Sequence, residues 1–296
     1  MLDFEEHIHI PTPLRLWKHP LFKEKSIEVY VKEDYRTHAA ISGNKFRKLK
    51  YNLLKAEELG QKQLVSFGGA YSNHIYALAA VGKLFNFQTI GIIRGDELTP
   101  ESSPTLRFAD EQGMQLHFVS RSAYRDKENL RRSIAPNAYY IPEGGSNREA
   151  LKGMSEVMDE LLKLINPTHV CVAAGTGGSA AGLCANKNFS GQINVFPVLK
   201  NGDFISEEIA TLLGAVPPNT VLHTAYHFGG YGKYNEILLE FINEIEKTYQ
   251  IPLDQVYTGK LFYGFLDLVS KDYFDHNSKI VLYHSGGLQG KIKAHE

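Results

Sequence analysis

The sequence predicts an α/β protein built on parallel sheets, and three observations carry that expectation. Short apolar runs of strand length alternate with stretches of helical spacing along nearly the whole chain. Several strand runs end in glycines that pass directly into a helix, the punctuation of β-α-β units whose sheets are covered on both faces. The 296 residues, 43% of them hydrophobic, suffice for one large or two moderate cores.

Taken in order, residues 26–32 (SIEVYVK) form a strand candidate. Residues 46–59 then place Phe46, Leu49, Leu53 and Ala56 at helical spacing before Gly60. Residues 63–67, 89–94, 115–119 and 139–142 read as short strands, with helices at 73–85 and 105–112 between them. The clearest helix is 148–165, where Leu151, Met154, Val157, Met158, Leu161, Leu162 and Ile165 share one stripe. A strand at 169–174, a helix at 179–188, a strand at 193–199 and a helix at 207–213 follow. Helices at 234–249 and 260–269, a strand at 280–284 and the start of a last helix complete the reading. No fixed-period repeat, low-complexity tract or linker divides the chain.

Composition narrows the function. Thirty-two basic and 33 acidic side chains leave a net charge of −1, with no basic stripe to neutralise a nucleic-acid backbone. Apolar runs such as VCVAA at 170–174 are far shorter than the ~20 residues of a membrane span. The start, MLDFEEHIHIPTP, lacks the basic-then-apolar layout of a secretory signal. Cys171 and Cys184 are the only cysteines and have no CxxC spacing, which suits a reducing cytoplasm. An enzyme with a small ligand is therefore expected, with a binding module as the alternative. His7 and His9 alternate on one candidate strand face but have no third ligand nearby, so no metal is expected.

Three strands end in glycine-rich turns: LVSFGGAYSNH (64–74), VCVAAGTGGSAAG (170–182) and VLYHSGGLQG (281–290). In open parallel sheets ligands lie at such carboxyl ends, and the helix that follows offers free N–H groups to an anion. In Gly175-Thr176-Gly177-Gly178-Ser179 the N–H groups and two hydroxyls suit a single phosphate. The loose GxGxxA form also admits a dinucleotide, but Leu199-Lys200 stands where an acidic ribose partner is wanted. A ligand-free tight turn is the third reading. Ser72-Asn73-His74 opens the helix at 73–85; Ser72 is a helix cap or, with Asn73, part of a carboxylate site, and the local pattern leaves both open.

Lys45 lies in SGNKFRK at the start of an amphipathic helix. The positive end of the helix dipole disfavours its charge and depresses its pKa, a setting in which lysines form Schiff bases. Among 32 basic residues, however, a solvated surface lysine is the default.

Read together, the motifs resemble the fold type II enzymes that depend on pyridoxal 5′-phosphate (PLP), the tryptophan synthase β-like group. Within it they are most similar to the branch of 1-aminocyclopropane-1-carboxylate deaminases and D-cysteine desulfhydrases. The resemblance runs in order through Pro11-Thr12-Pro13-Leu14, Val31-Lys32-Glu33-Asp34, SGNKFRKLKY (42–51), YSNH (71–74) and PEGGSN (142–147). It continues through AGTGGSAAG (174–182), VYTGK (256–260) and HSGG (284–287). It implies two open, twisted, mostly parallel sheets flanked by helices, with PLP in the cleft between a larger and a smaller domain. The larger is expected from residues 1–47 and 139–296, the smaller from 48–138. A homodimer is implied as well.

The resemblance also assigns roles. Lys45 is the lysine that carries PLP as a Schiff base, and Lys48 with Gly175, Thr176, Gly177, Gly178 and Ser179 holds its phosphate. Asn73 bonds the phenolic oxygen of the ring. Ser72, Asn73 and His74 receive a small amino-acid substrate, and Ser72 is also a candidate proton shuttle. Tyr231 and Tyr257 match the two active-site tyrosines. Thr258 faces the pyridine nitrogen where the deaminases carry glutamate, and Ser285 stands where the desulfhydrases carry threonine. A neutral partner makes a weaker electron sink, so the resemblance implies D-cysteine elimination, with the cyclopropane deaminase or a related deaminase or dehydratase as the alternative. Tyr71, Ile75, Tyr76 and Gly230 depart from the branch's pattern beside the substrate pocket.

Overall fold

Ten strands and ten helices alternate among residues 2–292, which the computed structural model describes. The strands are β1 (Leu14–Leu16), β2 (Glu28–Lys32), β3 (Gln63–Gly68), β4 (Gln88–Arg94), β5 (Gln115–Val119), β6 (Tyr139–Tyr140), β7 (His169–Ala174), β8 (Gln192–Pro197), β9 (Thr220–Leu222) and β10 (Lys279–Tyr283). The helices are α1 (Pro20–Glu24), α2 (Asn44–Glu58), α3 (Asn73–Phe85), α4 (Pro104–Glu111), α5 (Lys127–Ile134), α6 (Arg148–Leu164), α7 (Gly178–Cys184), α8 (Phe204–Leu213), α9 (Glu236–Tyr249) and α10 (Thr258–Ser270).

The strands form two sheets, ordered β1-β2-β10-β7-β8-β9 and β5-β4-β3-β6. Every pairing is parallel except β1 with β2. Period-2 alternation covers both faces of each. In β7, Val170 and Val172 face a core with Met154, Val157 and Leu161 of α6, while Cys171 and Ala173 face the core that holds Leu261 and Phe265 of α10. In the smaller sheet Val65, Phe67, Ile90 and Ile92 pack with Tyr124, Ala135 and Ala138. Leu64 and Ile93 face the stripe Phe46, Leu49, Leu53 and Ala56 of α2. Fully burying a side chain of that size contributes roughly 1.5–3 kcal/mol, so the stripe fixes which way α2 turns.

The opposite side of α2 meets α6 through buried charge. Arg47 is fully buried and bonds Asp34 at 3.1 and 3.2 Å and Glu160 at 2.6 and 2.9 Å. Lys32 joins Glu160 at 2.6 Å, and the Tyr283 hydroxyl donates to Asp34 at 2.7 Å. The cluster ties β2, β10, α2 and α6 together. The helices approach so closely that a Cβ on Gly153 would lie 1.9 Å from the Arg47 carbonyl oxygen.

Several boundaries differ from the sequence reading. The strand at 139–140 pairs with β3, so the smaller sheet extends past residue 138. The helix expected to reach 188 stops at Cys184, because the Asn186 amide turns back to bond Ser155 and, at 2.8 Å, Asp159 of α6. The last helix is a single 3-10 turn, Leu288–Gly290; residues 293–296 lie outside the described ones. Among the described residues no helix is long and apolar enough to cross a membrane.

Candidate active site

The three glycine-rich turns, far apart in sequence, meet at the carboxyl ends of β3, β7 and β10. Two of them border a cavity of about 550 Å³, lined by Lys45 and Lys48 of α2, Gly69 to His74, Gly175 to Gly177, Ser179, Tyr231 and Tyr257. A narrower recess adjoins it. The recess shares Asn44, Lys45, Asn73 and Tyr257 and adds Ser285, Gly286 and Gly287 from the third turn.

Lys45 is delivered by a turn that only glycine permits. Gly43 has a φ of 64°, and a Cβ there would lie 1.9 Å from the Ser285 carbonyl oxygen. Burial lowers the Lys45 amine to about 8, and among the described residues it has no hydrogen-bond or ion-pair partner. Roughly a tenth of it is therefore unprotonated at pH 7, far more than for an ordinary lysine, and the neutral amine is the nucleophilic state.

Lys48 follows one turn later. Its ammonium donates to the Gly144 carbonyl at 2.9 Å and lies 3.5 Å from the Ser146 hydroxyl. Burial, then the like charge of Lys45, hold its pKa well below the ordinary lysine value. The one carboxylate in the wall, Glu143, pairs with Lys127 at 3.1 Å. The floor of the cavity is thus short of negative charge.

The Gly175–Ser179 turn faces that deficit. Thr176 meets the Ser146 hydroxyl at 3.0 Å, and Asn44 donates to the Ser179 hydroxyl at 2.7 Å, which ties the turn to the first residue of α2. A Cβ on Gly178 would lie 2.3 Å from the Ser146 hydroxyl and 3.0 Å from the Lys48 nitrogen. Backbone N–H groups, two hydroxyls and the buried Lys48 amine converge here without a carboxylate, a donor set that suits a phosphate, whose charge would in turn favour the protonated lysine.

At the start of α3, Ser72 caps the helix by accepting from the Ile75 N–H at 3.3 Å while still lining the cavity, so its two sequence readings coexist. Asn73 lines both spaces. The His74 ring turns into the smaller sheet, with Nε2 2.9 Å from the Ser66 hydroxyl. Burial, and then Lys45 and Lys48, hold its pKa well below the usual imidazole value. A neutral ring offers a carboxylate no charge, so what this residue presents is its main-chain N–H in the first turn of α3.

Tyr257 and Tyr231 meet hydroxyl to hydroxyl at 3.5 Å, with rings 6.0 Å apart. Burial, then Tyr231, raise the Tyr257 hydroxyl well above its ordinary value, so it stays protonated. Thr258 does not reach either space. Its hydroxyl is fully buried and donates to Asp254 at 2.6 Å. Thr258, expected to face a ligand ring, lines neither space here, and its hydroxyl is taken up by Asp254 just ahead of α10. Ser285 is the hydroxyl residue of that pair lining the recess.

Three contributors escape the sequence reading. Asp254 accepts the N–H groups of Val256, Tyr257 and Thr258 at 2.7–3.0 Å and so fixes Tyr257. An acidic residue just ahead of the helix is its sequence signal. Lys260 donates to the carbonyls of His227 and Gly230, both at 2.8 Å, and holds the loop that carries Tyr231. Gln289 donates to Asn73 at 2.6 Å. Neither of the last two has a local signal.

A half-buried lysine with a lowered pKa lies beside a turn of backbone N–H groups and hydroxyls on a doubly wound α/β scaffold, and these residues fit PLP. Residues 6–286 match the family described as pyridoxal-phosphate dependent enzyme, and the chain belongs to that family. It is 28% identical, over 95% of its length and 77% of the relative's, to the mitochondrial bifunctional D-cysteine desulfhydrase/1-aminocyclopropane-1-carboxylate deaminase of Arabidopsis thaliana. A solved structure of an ACC deaminase homologue superposes with a TM-score of 0.78 at 28% identity, covering 96% of this chain and 91% of the other. A hydrogen sulfide-producing enzyme from Fusobacterium nucleatum shares the fold, with a TM-score of 0.71 at 19% identity and 98% and 99% coverage. The protein is a PLP-dependent enzyme of fold type II.

Proposed function

We propose that the enzyme catalyses α,β-elimination of D-cysteine to pyruvate, ammonia and sulfide, with PLP carried on Lys45. The supporting observation is the chemistry of the recess beside Lys45. Apart from Lys45 itself, its polar side chains Ser42, Asn44, Asn73, Tyr257, Ser285 and Gln289 are uncharged, and no carboxylate lines it. A carboxylate there would hold the ring nitrogen protonated and strengthen electron withdrawal. Neutral partners suit a reaction in which a good leaving group such as thiolate departs.

When bound, PLP supplies an electron sink for charge left at the substrate α-carbon. In this reading Lys48 and the Gly175–Ser179 turn hold the phosphate, and Asn73 bonds the phenolic oxygen. The Ser72 hydroxyl and the N–H groups opening α3 bind the substrate carboxylate, which the positive end of the helix favours. Once the substrate amine has taken its place on the cofactor, the freed Lys45 amine, lowered to about 8 by burial, would take the α-proton. Tyr257, kept protonated, supplies a proton to the departing sulfur, with Tyr231 as its relay to the half-exposed mouth. The C–H and C–S bonds break, and water releases ammonia from the remaining three-carbon unit to leave pyruvate.

The second reading is the cyclopropane deaminase, favoured by the Arabidopsis relative, whose name carries both activities. Incubating the PLP-loaded protein with D-cysteine, L-cysteine and 1-aminocyclopropane-1-carboxylate separates them. Sulfide and pyruvate from D-cysteine at the highest kcat/KM is the expected result. Faster 2-oxobutanoate release from the cyclic substrate would reject elimination as the main activity.

A further inference from the structure

Asn73 stands where the two sheets face one another, and its amide is held from the far side of the cleft. Gln289 Nε2 donates to Asn73 Oδ1 at 2.6 Å. Asn73 belongs to α3 of the smaller sheet, while Gln289 follows β10 of the larger one. The bond therefore spans the cleft at the wall of the recess that holds Lys45.

Gln289 is itself fixed. Its turn is pinned by the Gln255 amide, which donates to the Gly290 carbonyl at 2.8 Å and accepts from the Ile292 N–H at 3.2 Å. Gln255 lies between Asp254 and Tyr257, in the same turn that places the tyrosine. Gly287, at a φ of 87°, lets the chain pass beneath Asn73; a Cβ there would lie 2.8 Å from Asn73 Nδ2. That nitrogen has no hydrogen-bond partner among the described residues.

An asparagine amide has one accepting end and one donating end, so whichever end a neighbour takes decides what the other presents. We infer that Gln289 is a positioning residue: by occupying Asn73 Oδ1 it directs the Nδ2 donor to the phenolic oxygen of PLP. The inference rests on the proposed role of Asn73 in ring binding. A donor stabilises the ionised phenolic oxygen, whereas an acceptor in its place repels it. Gln289 thus couples the closing turn of the larger sheet to the electronic state of the cofactor through Asn73.

Three variants of the full chain test this: Gln289→Leu, Gln289→Glu and Asn73→Ala. A carboxylate only accepts, so the Gln289→Glu side chain would draw the Asn73 nitrogen to itself and turn its oxygen toward the ring. PLP dissociation constants come from titrating apoprotein, and the visible band of the loaded protein is recorded from pH 6 to 9. Gln289→Leu is expected to weaken PLP binding about threefold to tenfold, the range of one exposed hydrogen bond. Gln289→Glu should weaken it further and move the band toward that of the un-ionised phenol, with the thermal midpoint of the apoprotein unchanged in both. If Asn73→Ala changes affinity and band while both Gln289 variants behave as the parent, the positioning role is wrong and the ring contact stands. If all three behave as the parent, both are wrong. A lowered apoprotein midpoint with an unshifted band would make Gln289 merely structural and overturn the inference.

Discussion

The Asn44 amide donates to the Ser179 hydroxyl at 2.7 Å, binding the residue before the proposed cofactor lysine to the turn proposed for the phosphate. In the proposed binding mode the two ends of PLP would be held by segments that also hold each other. Asn44→Ala removes that brace while leaving Lys45 and the turn chemically intact. PLP affinity should fall about fivefold to tenfold, the worth of one hydrogen bond of roughly 1–1.5 kcal/mol, in titrations of the apoprotein.

The lowered Lys45 amine predicts how PLP capture depends on pH. With burial bringing it to about 8, roughly a tenth of the amine is neutral at pH 7 and about nine tenths at pH 9. The rate of cofactor capture by apoprotein, followed in the visible, should rise about tenfold between those values and then level off. A rate still climbing steeply above pH 10 would mean an ordinary solvated lysine.

Arg47 predicts the stability of the scaffold beneath the site. It holds both Asp34 and Glu160, so Arg47→Met leaves the fully buried Asp34 without an ion-pair partner and Glu160 with Lys32 alone. Urea unfolding should show a loss of about 3–5 kcal/mol at neutral pH. Burial alone would raise the Asp34 pKa, but Arg47 brings it below the ordinary carboxylate value. Its contribution is therefore present above the unfolded pKa and is lost as pH falls through the folded one, so parent and variant should converge in acid.

Thr258 gives a prediction that separates a structural bond to Asp254 from contact with the cofactor. Its hydroxyl donates to Asp254 at 2.6 Å and accepts from the Asp254 N–H at 2.9 Å. Thr258→Val should cost about 1–3 kcal/mol of stability, because both buried partners lose a bond. The visible band of the loaded protein should stay in place. A band shift in this variant would return Thr258 to the cofactor ring.

Much of this organisation is legible in the chain itself. The stripe of α6 and the Phe46, Leu49, Leu53 and Ala56 spacing of α2 give helices to within two residues, because each buries one apolar face. The glycine turns are legible because close backbone approach leaves glycine little competition, as at Gly43. What escapes is held by non-local contacts. α5 has no fully buried residue and only Leu130 and Ile134 half-buried on its apolar side, and β1 is three residues long and stands only by pairing with β2. Within the site, Lys45 looks like any surface lysine until a β10 turn more than 200 residues away folds over it. The hydroxyl of Thr258, taken up by Asp254, and the reach of Gln289 across the cleft likewise depend on partners that spacing does not reveal.

The attachment of PLP is tested most directly by reducing the loaded protein with borohydride and mapping its peptides by mass spectrometry. One stable pyridoxyl adduct is expected, on Lys45, and none in Lys45→Ala. An adduct on Lys48 or Lys260 instead, or an unmodified Lys45 peptide in protein that retains the cofactor, would contradict it.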